Sequence, residues 1–405
     1  MAPSHAPVAA EVDPVLTSKF DKVELIGTGE FSQVYRVSQK QELRKARSYF
    51  SLPLGKSSPA QTPLPDRVWA VKKSRHMYIG PKDRQRKLQE VNALKALGHS
   101  DHTIQLFDSW EDKSRLYIQT EYCEEGSLDL FLNQVGRKAR LDDFRIWKIM
   151  LELSLGLKHI HDSGFIHLDL KPANVLITFE GCLKIADFGM ATRWPAQPGI
   201  DGEGDREYIG PEILMGQFDK PGDVFALGLI MLEIAANVML PDNGASWQRL
   251  RSGDMSDVPS LTWSSDSSNS NVFRDSTGKP LSQEESMEEF YGSDSGDDYD
   301  FGSPKPFGRI GGQHKKKASF QLYRSGELAR PPSFMTDPSN PEALDNHVRW
   351  MISPRAADRP KVHQILAITG VQWIEKRRRA GATIFEGNWG PADEVLADDA
   401  EMIDV

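Results

Sequence analysis

The run His167-Leu168-Asp169-Leu170-Lys171-Pro172-Ala173-Asn174, followed thirteen residues after Asn174 by Asp187-Phe188-Gly189, leaves this chain few architectures to choose from. Two loops must meet so that a carboxylate, an ammonium and two further oxygen donors face one point. Asp169 suits a base that accepts a hydroxyl proton and orients the oxygen for in-line attack. Lys171 suits a cation that neutralises charge on a transferred phosphoryl group. Asn174 and Asp187 are hard oxygen ligands of the kind magnesium takes. A buried turn with incidental charges would need none of this spacing.

Other motifs supply the rest of an ATP site. Gly27-Thr28-Gly29-Glu30-Phe31-Ser32-Gln33-Val34 falls between two predicted strands, where glycines let the backbone approach phosphate oxygens closely. The phosphate-covering pattern ends on a third glycine; Ser32 stands there instead. An ordinary hairpin loop would carry the same glycines, and the strand–loop–strand setting argues against a dinucleotide fingerprint, which needs a strand followed by a helix. Ile26, Gly27, Gly29, Ser32 and Val34 are the candidate nucleotide contacts of this loop. Trp69-Ala70-Val71-Lys72 ends the third strand, and its lysine suits the α- and β-phosphates. Lys73 falls on the opposite face by strand alternation. Glu90, on an amphipathic helix marked by Leu88, Val91, Leu94 and Leu97, is the expected ion-pair partner of Lys72.

Composition shifts divide the chain. Residues 1–16, rich in Ala and Pro, read as a disordered leader. Short branched stretches at Lys22–Ile26, Val34–Val37, Val68–Lys72, Thr103–Trp110 and Leu116–Tyr122 read as strands. Residues 41–66 read as a loop insertion in which Gln41–Phe50 suits a short basic helix. After Gly126 the pattern is helical, with Asp142 or Asp143 capping a helix that runs to His161 and further helices at Pro221–Asn237, Pro341–Met351 and Pro360–Glu375. A second insertion spans 251–335. Within it Gln283–Phe301 holds eight acidic residues and no basic one, so it cannot bury enough apolar surface to offset its ordering entropy. Without the two insertions, residues 20–375 number about 245. The order of elements predicts an α+β, two-lobed architecture: an antiparallel sheet with one helix over about 20–119, then a mainly helical lobe over 127–375, with a tail at 376–405. The formal net charge of −9 argues against a nucleic-acid partner. Two cysteines, Cys123 and Cys182, form no disulfide framework and suit a reducing compartment. Val224–Leu240 is apolar, but Glu233 and Asn237 interrupt it; it reads as a buried helix and not as a membrane span.

Together these motifs resemble the eukaryotic protein kinase superfamily over residues 20–375. Within it, Gly29-Glu30-Phe31-Ser32, Gln119-Thr120-Glu121-Tyr122-Cys123, His167 through Asn174 and Glu203-Gly204-Asp205-Arg206-Glu207-Tyr208 resemble the Wee family of mitosis-inhibitory kinases. The resemblance implies that Thr120–Gly126 is a hinge whose Glu121 and Cys123 backbone holds adenine, with Val34 and Ala70 as roof and Leu176 as floor. It implies that Glu212 of Gly210-Pro211-Glu212 pairs with Arg359. It also implies transfer to the glycine-loop tyrosine of a cyclin-dependent kinase, bound to its cyclin, which delays mitotic entry.

Departures from the common pattern matter. Leu168 replaces an arginine that in many kinases binds an activation-loop phosphate, so activation by that route lacks its receptor. Asp201, Glu203 and Asp205 bring fixed negative charge to that segment instead. Asp205 stands where serine/threonine kinases usually place a bridging threonine, while Lys171 is of the serine/threonine type. The residues alone therefore leave tyrosine and serine/threonine specificity open, and a generic serine/threonine kinase is the alternative. A scaffolding pseudokinase is disfavoured because Lys72, Asp169, Asn174 and Asp187 are all present. Ser58, Thr62, Ser286, Ser295 and Ser303 are candidate phosphorylation sites. Lys315-Lys316-Lys317 and Arg377-Arg378-Arg379 suit nuclear import, or plain surface charge, and the expected location is nuclear, cytoplasmic or both.

Overall fold

Strand β3 is gripped from both faces, and the alternation of its side chains explains how. A computed structural model describes residues 13–40, 66–136, 140–197, 204–262, 332–377 and 380–385. Helix α1 (Pro14–Lys19) precedes β1 (Lys22–Thr28), β2 (Ser32–Gln39) and β3 (Arg67–Ser74). Helix α2 (Gly80–Leu97), β4 (Leu106–Asp112) and β5 (Arg115–Glu121) follow, and the antiparallel sheet runs in the order β1-β2-β3-β5-β4. Successive β3 residues point to opposite faces. Lys72 turns inward toward α2, while Val71 and Lys73 turn outward toward α1. There Leu16 and Phe20 pack with Tyr35, Val37, Val71 and Tyr117 in a small separate core.

Helix α1 corrects the expected disordered leader over its last residues. Asp13 followed by Pro14 is a helix-start signal that the Ala/Pro-rich composition obscures. The Asp13 Oδ1 accepts from Val15 N at 2.8 Å. Its Oδ2 meets Lys73 Nζ at 2.5 Å and accepts from the Tyr117 hydroxyl at 3.2 Å. Leu16 is fully buried. Changing Asp13→Ala removes a cap worth about 1 kcal/mol and a charge-assisted bond worth about 1.5–3 kcal/mol. The expected loss is about 2–4 kcal/mol in urea unfolding, with Asp13→Asn losing about half as much. A loss below about 0.5 kcal/mol would show that α1 is peripheral to the sheet.

The second lobe comprises α3 (Leu128–Gly136), α4 (Asp143–Asp162), β6 (Phe165–Ile166), β7 (Val175–Ile177), β8 (Leu183–Ile185), β9 (Thr192–Arg193), α5 (Pro211–Leu214), α6 (Pro221–Ala236) and α7 (Gly244–Ser252). It closes with α8 (Ser333–Thr336), α9 (Leu344–Met351), α10 (Val362–Leu366) and α11 (Thr369–Arg377). Asp142 caps α4, its carboxylate accepting from Arg145 N. The apolar stretch from Val224 is the buried helix α6, and among the described residues no helix is long and apolar enough to cross a membrane. The small pairs β6–β9 and β7–β8 flank the two motif loops, and β6 and β8 pack on α4.

Several boundaries differ from the sequence reading. The expected strand at Thr103–Trp110 begins only at Leu106, because residues 102–104 cross to the second lobe: Ile185 N donates to His102 O and Ile104 N donates to Ile185 O, both at 2.9 Å. The expected helix at Pro360–Glu375 is broken between α10 and α11, and at the start of α11 Gly370 lies against the Trp147 ring so closely that a Cβ would come within 2.5 Å of it. The helix expected from Pro341 starts at Leu344.

The insertion expected at 251–335 is narrower. Leu261 and Thr262 are buried, their N–H groups donate to the Asp345 carboxylate, and Arg140 donates to Leu261 O. Phe334 stands edge-on to Trp147 at 5.2 Å. The start of the expected tail is also ordered: Ala382 is buried and Thr383 Oγ1 donates to Gly181 O at 3.0 Å. Residues 41–65, with the basic helix expected at Gln41–Phe50, lie outside the described residues. So do the acidic run, Asp201, Glu203, Lys315–Lys317, Arg378, Arg379 and the five candidate phosphorylation sites.

Candidate active site

Lys72 and Glu90 meet because one residue in β3 and one in α2 share the inner face. Lys72 Nζ lies 2.8 Å from Glu90 Oε1 and 2.8 Å from Asp187 Oδ1. Burial works against the ammonium, but the two carboxylates outweigh it and hold its pKa well above the usual range. Burial raises the Glu90 pKa, and Lys72 offsets only part of that. For Asp187 the balance reverses: Lys72 overcomes desolvation and keeps the carboxyl below its ordinary value. Asp187 has φ +57°, a left-handed conformation rare outside glycine, which turns its carboxylate out of the loop. Phe188 beside it is fully buried, edge-on to His167 at 5.1 Å between ring centres.

The loop bearing Asp169 is shaped from below by Asp223, in the first turn of α6. The Asp223 carboxylate accepts from His167 N at 2.9 Å, Leu168 N at 2.8 Å and His161 Nε2 at 2.8 Å. Leu168 takes φ +66° to make those contacts. His167 Nε2 donates to Ala186 O at 3.0 Å, which leaves Nδ1 to accept from Asp169 N at 3.3 Å. Asn174 Nδ2 donates to the Asp169 backbone carbonyl and to its Oδ2, each at 2.8 Å. Lys171 Nζ sits 3.3 Å from Asp169 Oδ2 and 3.1 Å from Asp205 Oδ2. Burial opposes the Lys171 charge, and these two carboxylates raise its pKa despite it. Among the described residues Asp169 Oδ1 is buried with no hydrogen-bond partner. Such an orphaned acceptor fits a group that waits for a hydroxyl proton. Gly204, at φ +77°, passes so close that a Cβ would lie 2.6 Å from Leu168 O, so only glycine fits there.

The expected adenine contacts line the edge between the lobes. Strand register sets Val34 opposite Lys72 and Ala70 opposite Thr120. Leu176 lies in β7 and bridges to Ser127. Gly29 N donates to Ser32 O at 2.8 Å and closes the glycine loop, and Ile26 is 45% exposed beside it. Glu121 N is already engaged with Gln105 O at 3.0 Å. Its carboxylate accepts from Gln105 N and pairs with Lys184, and its carbonyl, the expected adenine contact, accepts from the Thr120 hydroxyl at 3.1 Å and keeps one lone pair. Cys123 is buried, which pushes its thiol up to about 12 and leaves it inert as a nucleophile.

A protein kinase domain model matches residues 55–369. The chain belongs to the protein kinase family. It is 41% identical over 384 residues to the mitosis inhibitor protein kinase wee1 of Schizosaccharomyces pombe, covering 95% of this chain and 35% of that protein. It is 37% identical over 413 residues to the mitosis inhibitor protein kinase SWE1 of Saccharomyces cerevisiae, covering 95% and 47%. It is 35% identical over 255 residues to a membrane-associated tyrosine- and threonine-specific cdc2-inhibitory kinase of Drosophila melanogaster, covering 61% and 43%. The kinase thus spans between a third and a half of the length of these relatives.

As a protein kinase domain it uses ATP with a divalent metal. The donor set fits that ion: Asn174 spends its amide nitrogen on Asp169 and keeps its oxygen, and Asp187 spends Oδ1 on Lys72 and keeps Oδ2. The expected pair of Glu212 and Arg359 is present as a buried two-pronged contact, at 2.5 and 2.7 Å. Asp223 falls in the first turn of the helix expected at Pro221–Asn237, and nothing in the sequence around it marks its clamp on the catalytic loop. The three polar groups it serves lie 55 to 62 residues away along the chain. Trp247 and Arg251 likewise belong to no motif in the sequence.

Proposed function

We propose that the kinase transfers the γ-phosphoryl group of ATP to the glycine-loop tyrosine of a cyclin-dependent kinase bound to its cyclin, and so delays mitotic entry. The observation that carries the chemistry is the orphaned Oδ1 of Asp169 beside Gly204 and Asp205. The phenolic oxygen attacks the γ-phosphorus as its proton passes to Asp169. The bond from that phosphorus to the β–γ bridging oxygen breaks, and ADP leaves with the electron pair. Lys171 offsets charge on the phosphoryl oxygens in flight, and Lys72, oriented by Glu90, holds the α- and β-phosphates. Magnesium, the ion best suited to two protein oxygens plus phosphate oxygens, would be held by Asn174 and Asp187 and would neutralise the developing charge. Leu168 offers no receptor for a loop phosphate, so we infer activity without activation-loop phosphorylation. The substrate class rests on the similarity to mitosis inhibitor kinases and on the Drosophila relative's stated tyrosine and threonine specificity. We place the enzyme in the nucleus, the cytoplasm or both, with no nucleic-acid partner.

The test is incubation with a purified cyclin-dependent kinase and its cyclin, followed by mass-spectrometric site mapping. Phosphate on the glycine-loop tyrosine is the expected result. Phosphate confined to serine and threonine overturns the reading and leaves a generic serine/threonine kinase, which the Lys171 motif would suit. Asp205→Thr removes a charge 3.1 Å from Lys171. It should lower tyrosine transfer at least about tenfold, a barrier increase of ~1.4 kcal/mol, and leave ATP affinity unchanged in calorimetry.

A further inference from the structure

Helix α7 supplies none of the groups above, yet two of its side chains are committed to the segment that borders the catalytic carboxylate. Trp247 Nε1 donates to the Arg206 carbonyl at 2.8 Å. Arg251 Nη2 donates to the same carbonyl at 2.7 Å and to the Glu207 carbonyl at 3.1 Å, and Nη1 donates back to Trp247 O at 3.2 Å. The guanidinium lies 3.9 Å from the Trp247 ring centre and 5.8 Å from that of Phe225 in α6. Arg251 is only 6% exposed. Among the described residues no carboxylate pairs with it, and its Nε has no partner. Burial, with Arg206 nearby, pulls its pKa down to about 10, so it stays charged at neutral pH.

A buried guanidinium without a counter-ion is costly, and an apolar residue would fill the space at less cost. What the charge achieves here is to hold two consecutive carbonyls with the two N–H bonds of one guanidinium nitrogen while the flat group lies on the Trp247 ring, a combination that a lysine does not match. The same stretch is fixed from its other side. Asp205 Oδ2 binds Lys171, and its Oδ1 accepts from Glu207 N at 3.1 Å. The Tyr208 hydroxyl donates to Glu233 in α6 at 2.6 Å. Residues 204–208 are therefore held between the catalytic loop and α7, and a Cβ on Gly204 would lie 3.8 Å from Asp169 Oδ1. An acceptor that delivers its hydroxyl to Asp169 Oδ1 has to pass this segment, whose Gly204 lies beside that oxygen.

We propose that Arg251, with Trp247, is a positioning residue for the protein acceptor: it fixes how far residues 204–208 stand from Asp169, and so which side-chain length reaches the base. For the class of acceptor the proposal rests on the tyrosine reading above; for its geometry it does not.

The experiment compares the full chain with Arg251→Met, Arg251→Lys and Trp247→Phe. Each is assayed on the cyclin-dependent kinase and its cyclin, and on two peptides that differ only in tyrosine or serine at the acceptor position. Calorimetry gives the ATP Kd. Displacing a reacting group by about 1 Å costs about a hundredfold, so Arg251→Met should lower acceptor kcat/KM at least about tenfold and shift the tyrosine-to-serine ratio. ATP Kd should stay within about twofold, a fraction of one hydrogen bond. Trp247→Phe keeps a ring and loses one donor, and should cost about fivefold, with Arg251→Lys between the two. A purely structural role would scale both peptide rates together with the fraction of protein that binds ATP, and that outcome overturns the proposal. So does unchanged acceptor kcat/KM in Arg251→Met or, where that variant does not fold, in Trp247→Phe. If the unaltered enzyme phosphorylates serine alone, the tyrosine reading falls, and a tenfold loss in acceptor kcat/KM at constant ATP Kd still upholds the positioning role.

Discussion

Asp169→Asn should remove nearly all phosphoryl transfer, about a thousandfold in kcat, within the 10²–10⁴ range that general base catalysis contributes. The reason lies in how its two oxygens are used. Oδ2 is engaged with Asn174 and Lys171, and an amide oxygen can still make those contacts. Oδ1 has no partner among the described residues, and it is the group whose proton affinity the amide abolishes. ATP affinity should hold, because the base does not touch the nucleotide. Asp187→Asn and Lys72→Met should also abolish turnover, but both should weaken ATP binding, since they remove a metal ligand and a phosphate partner. Single-turnover rates with parallel calorimetry separate these cases. More than about a tenth of kcat remaining in Asp169→Asn, a cost under ~1.4 kcal/mol, would show that another group takes the proton.

Arg359→Leu should give the largest loss of stability, about 3–5 kcal/mol, the usual result of stripping one partner from a buried ion pair. Arg359 is 6% exposed and its fork meets both oxygens of Glu212. It also donates to the carbonyls of Ser353 and Pro221 and lies 4.6 Å from the Phe225 ring centre. The substitution leaves a carboxylate stranded in the lobe's interior. Combining it with Glu212→Gln removes that charge, so the double variant should be more stable than the two single losses added together. Denaturant unfolding measures all three. Additive losses would mean that the carbonyl contacts, and not the pair, hold this corner.

What the sequence disclosed was the chemistry whose residues sit close together in the chain. Asp169, Lys171 and Asn174 fall within one short loop, and strand alternation alone separates Lys72 from Lys73. The structure bears out that separation, with Lys73 turned to Asp13. Groups that act across long loops were silent. Asp223 looks like any first-turn carboxylate until His161, His167 and Leu168 are placed around it. Arg251 fell inside a stretch whose Ser, Asp and Gly content reads as disorder, because composition averages over the few anchors, Leu250 and Leu261, that hold it. Helix α1 was hidden in the same way by the residues around Asp13.

The double contact of Lys72 has a thermodynamic consequence. In this structure one ammonium occupies Asp187 while Asp187 occupies it, at 2.8 Å. On the proposed function, phosphates call on the ammonium and a metal ion calls on the carboxylate. An ion on the free Oδ2 would weaken the hold of Asp187 on the ammonium, and phosphates that draw the ammonium away would leave both Asp187 oxygens to the ion. Whichever binds first loosens the other's receptor, so nucleotide and ion should favour each other's entry. Linkage makes the two effects equal: the factor by which the ion tightens the nucleotide is the factor by which the nucleotide tightens the ion. The pair thus acts as a latch that discourages either ligand from settling without the other.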